Sequence, residues 1–258
     1  MRKEREAAER IAREAGAEIL RRYLPSGQTE VEVKGRARDL VTGADRAAEA
    51  LVLERLRAAF PGDGIVSEET RPEYLREGRV WVVDPLDGTV NFAHGIPLFS
   101  VSIGLLVDGE PVAGAVHAPR LEETFTSSRG EGTTLNGAPV RVSGQIDLAK
   151  SLLVTGFPYQ RNEVVRNNMD NFVRLALHAR GVRRLGSAAL DLAFVACGRF
   201  DGYWELWLSP WDVAAGIGLV REAGGRVEGL HGEGDPVTGE SLVATNGLIH
   251  AALDGMVH

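Results

Sequence analysis

Trp81-Val-Val-Asp84-Pro85-Leu86-Asp87-Gly88-Thr89-Val-Asn91-Phe92 is the stretch that decides how this chain is read. An apolar run rich in Val and Trp ends in two carboxylates three positions apart, then Gly-Thr. Such a run reads as a buried strand that delivers Asp84 and Asp87 to the edge of a sheet. Gly88 lets the backbone approach closely and Thr89 adds a hydroxyl. Pro85 fixes φ and removes an amide donor, which presents the Leu86 carbonyl and the flanking carboxylates in one rigid turn. Hard oxygen ligands of this kind suit Mg²⁺ and a phosphate together. If a helix begins at Gly88-Thr89, its amides face an anion.

Working outward, Ala8, Ile11, Ala12, Ala15 and Ile19 recur at three- and four-residue spacing, which predicts an amphipathic helix over 4–23. A second helix is expected over 45–60, stopped by Pro61-Gly62, with short buried strands at 65–67 and 80–83. Residues 99–142 alternate β-rich runs with turn signals at Asp108-Gly109, Arg129-Gly130 and Asn136-Gly137, the pattern of an antiparallel meander. Beyond about 150 the pattern becomes alternating: strands at 151–155 and 182–185, helices near 162–179 and 187–196, a helix started by Pro210 and a last one near 247–256. The change of pattern marks a seam near 145. It divides the chain into an N-terminal half, 1–145, and a C-terminal half, 146–258, expected to pack as one compact unit.

Composition narrows the function classes. With 258 residues, 44% hydrophobic and 25% charged, the chain is an ordinary globular sequence with room for a large core. No run approaches 18 consecutive apolar residues and the N-terminus lacks an apolar leader, so neither membrane spanning nor secretion is expected. Cys197 is the single cysteine, which excludes an internal disulfide and fits a reducing cytoplasm. The formal charge of −7 argues against a nucleic-acid partner. No Ser-His-Asp order, Walker loop or dinucleotide fingerprint emerges.

The Asp84-to-Phe92 string resembles the first signature of the inositol monophosphatase family of Mg²⁺-dependent sugar phosphatases. Four further segments resemble that family in order: Lys34 with Asp39-Leu-Val-Thr-Gly-Ala-Asp45, Ser67-Glu68-Glu69, Gly186-Ser187-Ala188-Ala189, and Trp211-Asp212 running on to Glu222-Ala-Gly-Gly. The resemblance spans nearly the whole chain and implies a layered α/β fold, an αβαβα sandwich with the active site between the halves. It implies two or three Mg²⁺ ions per site. Asp84 bridges two of them, Glu68 and the Leu86 carbonyl join the first, and Asp87 and Asp212 hold the second. Glu68 and Thr89 hold the attacking water, with Asp45 assisting Thr89. Gly88, Thr89, Gly186, Ser187, Ala188, Glu205 and Asp212 contact substrate. A homodimer and inhibition by Li⁺ are implied on the same ground.

Local structure offers plainer employment for several of these residues. Asp45, three residues after Thr42, fits a helix capping box, and Ser209-Pro-Trp-Asp212 fits a second one. Ser187 reads as an N-cap. Glu205 reads as an exposed strand residue, and Lys34 as a solvated one. The expected activity is hydrolysis of myo-inositol monophosphate, a small phosphorylated polyol. A broader sugar or nucleotide phosphatase acting on fructose 1,6-bisphosphate or NADP, and a regulatory binding protein on the same fold, are the alternatives.

Overall fold

The computed structural model describes residues 1–27, 29–33, 40–70, 77–238 and 241–258. Helix α1 (Arg2–Leu20) buries Ala8, Ile11, Ala12, Ala15 and Ile19, the face its spacing predicts. A ribbon of β1 (Val31–Val33) and β2 (Leu40–Thr42) leads into α2 (Gly43–Ala59). Strands β3 (Gly64–Ser67) and β4 (Arg79–Asp87) follow, then the short helix α3 (Thr89–Ala93). The meander comprises β5 (Ser100–Val107), β6 (Glu110–Ala118), β7 (Glu123–Ser128), β8 (Gly132–Leu135) and β9 (Ala138–Val140). Strands β3 to β9 form one sheet in sequence order, antiparallel except for the parallel pair of β3 and β4.

The second sheet has the order β11-β10-β12-β14-β13, built from β10 (Leu152–Thr155), β11 (Gly181–Arg183), β12 (Gly202–Leu206), β13 (Arg226–Glu228) and β14 (Ser241–Thr245). Helices α4 (Met169–His178), α5 (Ala188–Ala196), α6 (Pro210–Glu222) and α7 (His250–Asp254) are interleaved with it. Strand periodicity sorts the residues into layers. On β4, Trp81 and Val83 pack with α1 and α2, while Val80 and Val82 face α5 and α6. On the second sheet, Val154, Tyr203, Leu242 and Ala244 join that same central core, and Leu153, Trp204 and Val243 pack outward with Leu175 and Leu253 of α4 and α7. The result is helix, sheet, helix, sheet, helix: the αβαβα sandwich. No helix among the described residues is long and apolar enough to cross a membrane.

Two helices are shorter than their sequence patterns. Residues near 162 do not start α4, because Asn168 takes a left-handed φ of 72° and turns its amide inward. Its Nδ2 donates to Thr155 Oγ1 and the Gly156 carbonyl, and its Oδ1 accepts from Trp204 Nε1 at 2.7 Å. The last helix starts at His250, with Asn246 Oδ1 receiving the amides of Leu248 and Ile249 ahead of it.

Candidate active site

The strand that opened the reading breaks register between Asp84 and Asp87, where β4 bulges away from β5. The bulge carries the chemistry. Asp84 Oδ1 accepts the Leu86 amide at 3.0 Å, holding the turn shut. Gly88 then takes φ 92°, with Leu98 and Gly186 backbone atoms within 3.3 Å of where a Cβ would stand, so only glycine fits there. Thr89 begins α3, as anticipated.

Two adjoining cavities meet at this turn. The larger, about 260 Å³, is lined by Glu68, Asp84, Leu86, Asp87, Gly88, Thr89 and Asp212 among others. The smaller, about 80 Å³, is lined by Gly186, Ser187, Ala188, Asp191, Glu205 and Arg184 among others. Asp87, Tyr159, Trp207 and Asp212 belong to both. Every residue expected to ligate metal lines the larger cavity, and Gly186, Ser187, Ala188, Glu205 and Asp212 line the smaller. Lys34 and Asp39 lie outside the described residues.

Asp45 serves a helix and a neighbour at once. Its Oδ2 accepts the Thr42 amide at 2.8 Å and the Thr42 hydroxyl at 2.5 Å, completing the capping box. Its Oδ1 accepts the Thr89 hydroxyl at 2.9 Å. Thr89 Oγ1 also stands 2.9 Å from the Leu86 carbonyl, but one hydroxyl proton serves one acceptor. Donation to the carboxylate is the stronger bond and leaves the Leu86 carbonyl and a Thr89 lone pair open.

Asp87 is held differently from the expectation at Ser187. The Ser187 hydroxyl caps nothing; it donates to Asp87 Oδ2 at 2.6 Å. The amide of Ala189 donates to the same oxygen at 2.8 Å and that of Ala188 to Oδ1 at 3.3 Å. A carboxylate brought from β4 thus sits at the positive end of α5 and takes amides that the sequence reading left to substrate. Asp212, at the third position of α6, accepts the Ser209 amide at 2.6 Å.

Electrostatics set the requirement for a ligand. Burial, then the charges of Glu68, Asp87 and Asp212, push the Asp84 carboxyl well above its ordinary range. Burial, Asp87 and Glu68 do the same to Asp212. Burial raises Asp87 as well, against the bonds from Ser187, Ala189 and Ala188. No Lys or Arg is among the described residues lining the larger cavity. An all-oxygen set of mutually repelling carboxylates with an open carbonyl fits a hard divalent cation. As they stand, no three His, Cys, Asp or Glu side chains among the described residues are already arranged to hold an ion. Asp87 and Asp212 are instead turned onto amides.

Glu205 is no exposed strand residue. Its carboxylate occupies the space above Gly156, where a Cβ would lie 2.1 Å from both oxygens, and accepts the Tyr203 hydroxyl at 2.8 Å. Burial pushes its pKa up to about 7. Beside it stands Asp191, 1% exposed, whose Oδ1 lacks a hydrogen-bond partner. The sequence reading missed Asp191, although one acid in the wholly buried apolar run of α5 was a signal. It also missed Arg184, Tyr159 and Trp207, which carry no such mark. Asn91 ties the segment before β5 to the segment before α5, its Nδ2 donating to the carbonyls of Leu98 and Leu185.

Known proteins align with this arrangement over its full length. The profile of the inositol monophosphatase family matches residues 1–257. An inositol-1-monophosphatase of Synechocystis sp. is 47% identical over 240 residues, covering 93% of this chain and 83% of that protein. A Nus factor SuhB of Pseudomonas aeruginosa is 44% identical over 251 residues, covering 95% and 92%. The solved inositol monophosphatase of Anabaena (Nostoc) sp. superposes with a TM-score of 0.89 at 43% identity, covering 99% of this chain and 95% of that one.

Proposed function

The chain belongs to the inositol monophosphatase family, and we propose that it is a Mg²⁺-dependent phosphomonoesterase that hydrolyses myo-inositol monophosphate. The family consists of metal-dependent phosphatases, and that much is carried by membership. One observation supports the rest: an acidic cavity with no cationic lining residue among the described residues adjoins a second cavity rich in hydroxyl-binding groups, and Asp87 and Asp212 belong to both. An anionic phosphate enters the first only alongside cations, and a polyol fits the second.

In this reading Glu68, Asp84, Asp87, Asp212 and the Leu86 carbonyl hold the Mg²⁺ ions. Once bound, Mg²⁺ neutralises phosphoryl charge and makes water a better nucleophile. The chain's own residues position the rest. Thr89, its proton committed to Asp45, offers a lone pair to a water, and Glu68 offers a carboxylate. With α3 starting at Thr89, behind Gly88, the backbone amides of that turn would receive the phosphate. Gly186, Ser187 and Glu205 receive ring hydroxyls of the alcohol.

The name of the Synechocystis relative favours inositol monophosphate over fructose 1,6-bisphosphate or NADP as the substrate. The name Nus factor SuhB favours a second, regulatory reading on the same fold, to which the intact carboxylate set adds nothing. We further propose a cytosolic homodimer. Met169, Val173 and Leu177 recur every fourth residue along α4 and all are exposed, an apolar stripe suited to a second copy. Phosphate release from a panel of inositol, fructose, nucleotide and glycerol phosphates, with and without Mg²⁺, tests the activity. Turnover preserved after exhaustive chelation, or preference for a substrate other than inositol phosphate, overturns the corresponding part.

A further inference from the structure

Trp207 stands at the mouth of the site in a backbone conformation that bulky residues avoid, with φ 65°. Core packing does not hold it there, since the residue is 48% exposed. Its indole Nε1–H donates to the Arg166 carbonyl at 2.8 Å, which ties the ring to the loop before α4. Trp207, so anchored, lines both the cavity of Asp84 and Asp212 and the cavity of Glu205 and Asp191. Backbone strain kept at the rim of a site is a sign that the side chain is used.

The smaller cavity indicates what the ring would meet. Asp191 brings a buried oxygen with no partner, and a buried acceptor of that kind calls for a donor from a ligand. The Glu205 carboxylate adds further acceptor capacity next to Tyr203. Carboxylates that take hydroxyls, together with one flat apolar surface, match a molecule with hydroxyls around its edge and C–H bonds on its face. A cyclic polyol or a pyranose has that form; an acyclic polyol does not.

We propose that Trp207 is a substrate-contact residue, a platform for the C–H face of a ring-shaped polyol phosphate whose hydroxyl edge is bonded by Asp191 and Glu205. The proposal deepens the phosphomonoesterase reading and rests on it. The test compares the full-length wild type with Trp207→Gly and Trp207→Phe on myo-inositol 1-phosphate and on glycerol 2-phosphate, an acyclic control, with Mg²⁺ present. Trp207→Gly is expected to raise KM for the inositol ester about three- to tenfold. It should change KM for the glycerol ester less than about twofold, and Trp207→Phe should keep most of the inositol affinity. Glycine accepts the positive φ without strain, which offsets the lost indole bond to the Arg166 carbonyl, so the melting temperature of Trp207→Gly should stay close to that of wild type. A second readout is indole fluorescence with Ca²⁺ in place of Mg²⁺. Adding myo-inositol 1-phosphate should shift the emission of the wild type and not that of Trp207→Phe.

Equal losses on both esters, an unchanged KM for the inositol ester, or wild-type turnover of the glycerol ester alone would each overturn the platform. If the wild type hydrolyses neither ester, the phosphomonoesterase reading fails and the platform with it. If the wild type hydrolyses both and Trp207→Gly matches it, the platform alone fails.

Discussion

Helices α2 and α6 begin with the same capping device and put its acid to different uses. Thr42 with Asp45, and Ser209 with Asp212, each form a capping box in which the acid accepts the amide of the capping residue. At α2 the acid is then consumed by the protein. Both oxygens of Asp45 are bonded, to Thr42 and to Thr89, and these bonds counter the rise in pKa that burial causes. At α6 the Ser209 amide is the bond that restrains Asp212, and its Oδ1 has no hydrogen bond among the described residues. The charges of Asp87 and Glu68 add to burial there. The box therefore specifies where a carboxylate starts, and its neighbours decide whether it is a fixed strut or an open ligand.

The strongest way to break that contrast is Asp212→Asn. As an open ligand, it should cost about 10²- to 10⁴-fold in kcat, roughly 3 to 5 kcal/mol of barrier. The metal-free variant should melt no lower than wild type, because the amide oxygen still caps α6 and a repelling charge is gone. A lower melting temperature with near-normal kcat would make Asp212 a strut like Asp45, and the contrast would vanish.

Stability comparisons of this kind are clean only at the right pH, and His117 defines the window. Its ring lies against Gly16 of α1, where a Cβ would stand 2.5 Å from Cδ2, and its Nδ1 is 2.8 Å from Thr124 Oγ1. Burial lowers its pKa from 6.5 to about 4. A base with a depressed folded-state pKa is protonated in the unfolded chain first, so stability falls as pH drops from about 6.5 to about 4. The fall attributable to this group reaches about 3 kcal/mol. Urea unfolding at several pH values should show the slope in wild type and lose it in His117→Gln. A slope that persists unchanged assigns it to other groups.

Mg²⁺ should sharpen the contrast by about 2 to 3 kcal/mol. Binding only to the folded state stabilises it by about 2.7 kcal/mol at a hundredfold excess over Kd. Thermal melts in rising Mg²⁺ should therefore climb in wild type, much less in Asp212→Asn, and nearly as in wild type in Asp45→Asn. Equal responses in the two variants would show that Asp45 is as much a ligand as Asp212.

Much of this was legible because the chemistry is contiguous. Asp84, Leu86, Asp87 and Thr89 lie on one strand and turn, so spacing alone gathered them, whereas the layering followed from the family resemblance and not from strand alternation. The capping boxes were legible for the same local reason. What spacing could not give was partnership at long range. That Ser187 donates to Asp87 instead of capping its own helix, and that Asp45 reaches Thr89, are contacts across 100 and 44 positions. Asn168 also escaped notice, since its inward hydrogen bonds override a helical pattern. Trp207 was invisible for a different reason: a positive φ at a residue other than Gly leaves no trace in composition.

The finest distinction separates the two duties of Asp45 itself, through Thr42→Val. Valine keeps the shape and the backbone N–H that donates to Asp45 Oδ2, but removes Oγ1, which donates to that oxygen and accepts the Ala44 amide. Loss of a cap of this kind should cost about 1 kcal/mol of stability. The bond from Thr89 to Oδ1 is untouched, so kcat should stay within about twofold of wild type. Chemical denaturation and steady-state kinetics on one preparation give both numbers. A large loss of kcat with a small loss of stability would mean that the Thr42 hydroxyl orients the carboxylate that Thr89 depends on. The box would then be part of the positioning machinery at α2 as well as its cap, and α2 would stand closer to α6 than their hydrogen bonds imply.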